Sequence, residues 1–512
     1  VSGRGAEIGG ADTIIVGGGA SGCVIAHRVS EDASRSVLLL EAGPDYPRPE
    51  DVPADLVDAR RNSMRRHDWG LWHRPSERWW RLPLPRGRVV GGSSAVNTCI
   101  ALRGVPGDFD AWAARGLPEW AWERCLPAFR AIERDLDFAT PWHGSEGPLP
   151  IQRPPEASWA PWQAAFVAAS ERLGFARVED HNAPDAAGVG AYPFNRLNGR
   201  RISAAEAWLT PAVRARPNLR VAAGVHVVRV LVERGRAVGV EVLEGRQRRQ
   251  LRAARVVLCA GAVHTPGVLL RSGLGPRASL SALGVPLVVD LPGVGARLLD
   301  HPGTALFFRP RAGVARREDP IMQVGLRFRS DDGEVDNDLQ VQPGGNAAVD
   351  LPWVPMISIM AHVGKPRGTG ELRWTSADPC AKPVIRSRLM SDPRDVRHAA
   401  TCMRTAARLS QTPEMKDLAT PLWHDPRTFE DEGAAADYVR RMTDSGFHAS
   451  GTAPMGAEED PGAVCDSRGR VHGVEGLFVG DASLIPEIPS GNIHLPVLMM
   501  GERIGGWLRD AR

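Results

Sequence analysis

Two histidines late in the chain carry the clearest chemical signal: His448 in FHASGTAPMG (447–456) and His494 in LFVGDASLIPEIPSGNIHLPV (477–497). Both sit among small and apolar residues. An imidazole with a near-neutral pKa in dry surroundings suits removal of a substrate hydroxyl proton. A second one nearby can hold the resulting oxygen and fix the reacting carbon. Far upstream, residues 11–43 (ADTIIVGGGASGCVIAHRVSEDASRSVLLLEAG) form a strand, a glycine turn, a helix and a second strand ending at Glu41. Gly17, Gly19 and Gly22 keep the G-x-G-x-x-G spacing of a tight turn, a close phosphate approach and close helix–strand packing. The helix predicted over 20–30 starts at Ala20 and Ser21, so its first amides face the phosphates. Glu41 is placed to accept hydrogen bonds from a ribose diol. This unit binds a dinucleotide, and its spacing does not say which one. A second Gly/Ser turn, residues 86–97 (RGRVVGGSSAVN), offers amides and hydroxyls to an anion or a flat ring edge. Residues 261–276 (GAVHTPGVLLRSGLGP) follow a strand, and Thr265–Pro266 suggests a helix start with proline in its first turn. Ser21, Ser93 and Ser94 lie outside any G-x-S-x-G, which argues against acyl transfer. The other histidines, His301 in LLDHPG included, read as structural, and no pair has metal-ligand spacing, so no metal is expected.

The elements that must position these residues exceed one ordinary core, since 512 residues imply two domains or large insertions. Lys and Arg number 63 against 60 Asp and Glu, a net charge of +3 that gives no reason to expect nucleic acid. The basic run 246–252 (RQRRQLR) reads as a solvated hairpin edge. The seven cysteines are scattered without C-x-x-C, which reads as reduced thiols, mostly buried. No apolar run approaches the roughly 18 residues of a membrane span. Residues 1–10 read as a polar, disordered leader, and the compartment as cytoplasmic, although a signal removed before Val1 is compatible with the sequence. Residues 44–90 form an excursion without periodicity. Tryptophans concentrate between Trp69 and Trp162, where packing is favoured over a channel wall. Residues 108–139 read as two helices split near 116–118. Alternating runs at 219–221, 225–232, 237–243 and 251–258 read as an antiparallel meander with turns at 234–235 and 244–245, followed by a parallel strand at 255–259. Residues 303–375 look like a second sheet with strands at 321–329 and 356–363, and 393–412 and 434–442 read as helices.

Together, GRVVGGSSAVN, GAVHTPGVLLRSGLGP, HASGT, GDASLIP and NIHLP resemble the glucose–methanol–choline family of flavin oxidoreductases, in order and from about residue 12 to 504. The resemblance implies an α/β fold: a Rossmann-like FAD-binding domain (11–150, 201–302 and 445–512) interrupted by an α+β substrate domain (151–200 and 303–444). It implies FAD contacts from Gly17, Gly19, Ala20, Ser21, Gly22, Glu41, Ala42, Trp69, Val90, Gly92, Ser93, Val96, Asn97, Val227, Asp481, Ala482, His494 and Pro496. Val227 would meet adenine, and Gly92, Ser93 and Asn97 the flavin ring. His448 takes the place of the principal catalytic histidine and His494 that of its partner. Some members bind FAD covalently through a histidine just before the asparagine of the Gly/Ser turn. Val96 stands there, which implies non-covalent FAD.

By the same resemblance Thr98, Met360, His362 and Phe447 wall the substrate space. FHASGTA and SDPRD (391–395) are similar to bacterial members that oxidise aryl and furfuryl alcohols. The expected reaction is oxidation of a primary alcohol to an aldehyde, with O2, a quinone or a dye as final acceptor, by a monomer or homodimer. Hydroxynitrile lyase chemistry on the same fold, and a choline-type dehydrogenase, stay open as alternatives.

Overall fold

The structure, a computed structural model, describes residues 9–77, 80–333, 336–345 and 356–511. The expected leader at 1–10 lies mostly outside the described residues. Ala11–Val16 and Val37–Glu41 pair in parallel, Thr13 opposite Val37 and Val16 opposite Leu40, with the helix Ala20–Val29 between them. Their buried β-branched and leucine side chains make both strands two-sided core elements. Leu219–Ala223 extends this parallel sheet beyond Val37–Glu41, while Gln247–Leu258 and then Leu477–Val479 extend it beyond Ala11–Val16.

The run at 219–221 is therefore not the first strand of a meander. Gly224, at φ +73°, turns the chain out of the parallel sheet into Val225–Glu233. The antiparallel meander has three strands, Val225–Glu233, Arg236–Glu244 and Gln247–Leu258, turning at Arg234–Gly235 and Gly245. Gln247–Leu258 serves two roles without a break: residues 247–252 pair antiparallel with Arg236–Glu244, and residues 253–258 pair parallel with Ala11–Val16. The basic run lies on this hairpin, where Arg248, Arg249 and Arg252 meet Glu241, Glu244 and Glu233 at 2.6, 3.2 and 2.5 Å.

The helix after this strand spans Gly261–Arg271, so it begins before Thr265 and places Pro266 in its interior. A proline there cannot donate to the carbonyl four residues back. That carbonyl, of Ala262, accepts instead from Thr452 Oγ1 at 2.6 Å. A long-range partner, invisible to local reading, makes the interior proline tolerable.

The second sheet is antiparallel in the order Ala419–Pro421, Pro302–Pro310, Ile357–Val363, Leu339–Gly344, Val324–Phe328, Gly188–Ala191. Pro393–Ser410 packs on it and Glu432–Met442 packs on that helix. Strand alternation sends Ile357, Ile359, Ala361 and Val363 into this core and leaves Met360 and His362 on the opposite face. The excursion at 44–90 is more ordered than its sequence suggests. Its Trp72–Arg74 and Leu82–Pro83 join Glu371–Arg373 and Val384–Arg386 in a small sheet. Pro106–Ala114 and Trp122–Ile132 are the two expected helices. Trp112, Trp120 and Trp162 are core residues, and among the described residues Trp69 is the one tryptophan lining the main cavity. Six of the seven free cysteines are buried, Cys380 being exposed. No described helix is long and apolar enough to cross a membrane.

Candidate active site

A cavity of about 770 Å³ runs between the two sheets, from the first glycine turn to the C-terminal histidines. At one end the wall is mostly backbone. Gly17 has φ +103°, and a Cβ there would lie 2.4 Å from the Cys259 carbonyl. A Cβ on Gly22 would lie 2.0 Å from the Gly17 carbonyl, so Gly22 is needed for packing and does not itself line the cavity. Gly19 differs from both. Its backbone is extended with φ −76°, and a Cβ would meet nothing closer than 3.7 Å. Nothing in the described chain demands a glycine there, yet it lines the cavity, as expected where a phosphate must approach closely. Glu41 accepts from Gly18 N at 2.9 Å and Gly43 N at 2.7 Å, and burial pushes its carboxyl up to about 7.

Ala20, Ser21, Ala42, Trp69, Gly92, Ser93, Val96, Asn97, Thr98, Val227, Asp481 and Ala482 also line the cavity. Val90 and Pro496 do not: Val90 is packed in the core, and Pro496 is buried in the first turn of the helix His494–Asp510. Asp481 caps the helix Gly261–Arg271: its Oδ2 accepts from Gly261 N (2.7 Å) and Thr265 Oγ1 (2.6 Å). Its Oδ1 accepts from Ser483 N at 2.8 Å, so its carboxylate is largely spent on the protein.

At the other end the wall is made of side chains from distant segments. His448 follows Phe447, which is held at φ +64°, a left-handed conformation that costs a bulky residue on the order of 1–3 kcal/mol. That turn is pinned by Asp300, which accepts from His448 N at 2.8 Å and from the Ser445 hydroxyl. Arg86 Nη1 holds the Phe447 carbonyl at 2.8 Å. His301 then engages the ring. Its Nδ1 lies 2.8 Å from His448 Nδ1, and its Nε2 lies 3.0 Å from both the Gly364 and Pro489 carbonyls.

The two carbonyls can only accept, so His301 Nε2 carries the proton and its Nδ1 is bare. His448 must then donate from Nδ1, which leaves its Nε2 as a lone pair on the cavity side. Asn492 Nδ2 donates to that nitrogen at 2.9 Å. Burial first, then repulsion from His301, His362 and Arg86, holds His448 well below the usual imidazole value. Burial likewise brings His301, His362 and His494 down to about 4.

His301 is thus not merely structural. The signal was present in its Asp–His pair, but nothing in the sequence showed that the pair meets residue 448. Asn492, two residues before the expected partner His494, is the group hydrogen-bonded to His448 Nε2. His494 lines the same cavity, and its Nε2 has no partner among the described residues. Phe447, Thr98, Met360 and His362 line the neighbouring space. Elsewhere, Glu133, Asp135 and His143 bring ligand atoms within 4.8 Å of one another. The guanidinium of Arg103 pairs with Glu133 and that of Arg153 with Asp135, so this buried cluster already holds its counter-charges.

Family models described as GMC oxidoreductase match residues 11–303 and 366–501. The chain belongs to this family of FAD-dependent alcohol oxidoreductases. It is 36% identical to 5-(hydroxymethyl)furfural oxidase of Methylovorus sp. (strain MP688), covering 96% of this chain and 97% of that protein. It is 34% identical to oxygen-dependent choline dehydrogenase of Sinorhizobium fredii (strain NBRC 101917 / NGR234), covering 96% and 94%. Among solved structures, pyridoxine 4-oxidase from Mesorbium loti superposes with a TM-score of 0.88 at 30% identity, covering 96% of this chain and 98% of that one.

Proposed function

We propose that this chain oxidises an uncharged primary alcohol, aromatic or furanic, to the aldehyde, with non-covalent FAD as hydride acceptor. The observation that carries the reading is the hydrogen-bond chain from the Gly364 and Pro489 carbonyls through His301 to His448, because it leaves His448 Nε2 unprotonated, with its lone pair on the cavity side. That nitrogen takes the substrate hydroxyl proton. Asn492 and His494 hold the alkoxide oxygen and fix the carbon for transfer. Met360 and Phe447 keep water from the reacting carbon. Gly17, Gly19, Ala20 and Ser21 hold the pyrophosphate, Glu41 and Ala42 the ribose, Trp69 and Val227 the adenine end. Gly92, Ser93, Val96, Asn97 and Ala482 border the ring. Bound FAD supplies a two-electron acceptor.

The parallel sheet with its meander constitutes the FAD-binding domain (11–150, 201–302, 445–512), and the antiparallel sheet with its helices the substrate domain (151–200, 303–444). Val96 offers no nucleophile for a covalent bond to the flavin. Precipitating the unfolded protein therefore releases the flavin to the supernatant, and flavin retained in the pellet contradicts this. Anaerobic mixing with furfuryl or benzyl alcohol bleaches the flavin band near about 450 nm if the reading is right. A lyase leaves that band unchanged. Repeating the reaction with O2 and then with a dye assigns the acceptor.

A further inference from the structure

The substrate end of the cavity holds a polar chain that the proton-abstraction step leaves unused. Gln340 Nε2 donates to the Tyr192 hydroxyl at 2.6 Å and to Gln342 Oε1 at 2.9 Å. Gln342 Nε2 then donates to His362 Nε2 at 3.0 Å. Tyr192, which anchors the chain, is fully buried, and its hydroxyl fits because residue 325 is glycine: a Cβ there would lie 1.9 Å away. An amide NH2 group can only donate, so His362 Nε2 accepts and the ring proton sits on Nδ1. Nδ1 has no hydrogen-bond partner among the described residues. It lies beside Gly303, where a Cβ would come within 2.7 Å of it, and Gly303, Gln342 and His362 all line the cavity. The chain therefore ends on the cavity wall in an N–H that has no partner among the described residues.

We propose that His362 determines specificity by donating this Nδ1–H to a second, acceptor oxygen on an uncharged alcohol substrate. The inference rests on the alcohol-oxidising reading above and names what that site selects. Such a donor discriminates mainly by being left unpaired when the substrate lacks the oxygen. Burial keeps the ring neutral, down to about pH 4, so the donor is uncharged at working pH. A cationic substrate would find no negative charge at this N–H. Among the described residues, the acidic ones on the cavity wall are Glu41, Asp444 and Asp481. Of these, Glu41 and Asp481 lie at the end of the first glycine turn, and Asp444 accepts through Oδ1 alone, from His73 Nε2 at 3.0 Å and Ser445 N at 2.7 Å.

The test uses flavin-loaded protein and two alcohols, furfuryl alcohol and its 5-formyl derivative. Rates of anaerobic flavin reduction give kcat/KM for each, and the ratio between them is the readout. In His362→Phe that ratio falls about tenfold from its native value, through a rise in KM for the formyl alcohol beyond any change the two alcohols share. His362→Gln, which restores a donor N–H, recovers part of the ratio. Gln342→Leu, which removes the hydrogen bond to His362 Nε2 and keeps the imidazole itself, lowers the ratio in the same direction by less. This variant keeps the test decisive should His362→Phe fail to fold. A ratio that survives both His362→Phe and Gln342→Leu overturns the role of His362 while leaving alcohol oxidation intact. If neither alcohol bleaches the native flavin, the alcohol reading itself falls, and the inference with it.

Discussion

At the dinucleotide end of the cavity the decisive contacts are made by backbone within one continuous stretch, Gly17 to Gly43, closed by the Cys259 carbonyl. At the catalytic end they are made by side chains from four separate segments: His301, His362, His448 and Asn492. The first end works by omission, because glycines clear a surface that a phosphate can approach. The second works by direction, because two backbone carbonyls set one tautomer, which sets the next. Errors therefore propagate differently. A Cβ added at the glycine turn blocks space, whereas a lost ring at the other end changes where a proton resides.

The largest effect is expected at the catalytic end. His448→Ala should slow anaerobic flavin reduction by about 10²–10⁴-fold with flavin content and melting temperature unchanged. Near-native turnover in that variant would remove His448 from the mechanism. At the other end two glycines separate packing from ligand approach. Gly22→Ala places a Cβ 2.0 Å from the Gly17 carbonyl and should cost about 1–3 kcal/mol of stability even without flavin. Gly19→Ala should leave the flavin-free melting temperature alone and lower flavin content only. A loss of apo stability in Gly19→Ala would show that its glycine is there for the fold.

A bond that ties the two ends together should matter about as much as one buried hydrogen bond. Thr452→Val leaves the Ala262 carbonyl without its 2.6 Å partner and should lower stability by roughly 1–3 kcal/mol, read by denaturant unfolding. The gentlest expectation concerns pH. His301, His362 and His494 stay neutral in the folded chain down to about 4, whereas unfolded imidazoles protonate near about 6.5. The unfolded chain thus binds more protons between those values, so stability of the flavin-free protein falls as pH drops through that window. His362→Phe should flatten that fall, and an unchanged slope would mean that His362 does not contribute to it.

The strand–glycine turn–helix–strand unit was legible because its determinants are consecutive, from Ala11 to Glu41. The family motifs likewise placed His448 and His494 on one cavity wall. What stayed hidden depends on contacts between distant residues. The Asp300–His301 pair gives no sign of reaching Ser445 and His448, and Pro266 gives no sign that Thr452 covers its missing bond. Leu219–Ala223 looked like a meander strand because apolar alternation is the same in parallel and antiparallel neighbours. Val90 and Pro496 keep their motif positions but are buried off the cavity wall, since a motif fixes the order of residues and not which side each one shows.

The unbroken strand Gln247–Leu258 has a consequence for motion. Its first half is an exposed hairpin and its second half lies inside the parallel sheet, between Ala11–Val16 and Leu477–Val479. Such a strand offers no joint at which the hairpin could open alone. Amide hydrogen exchange should therefore show its outer residues protected beyond what their exposure suggests, with protection rising smoothly from residue 247 to 258 and no step between the halves.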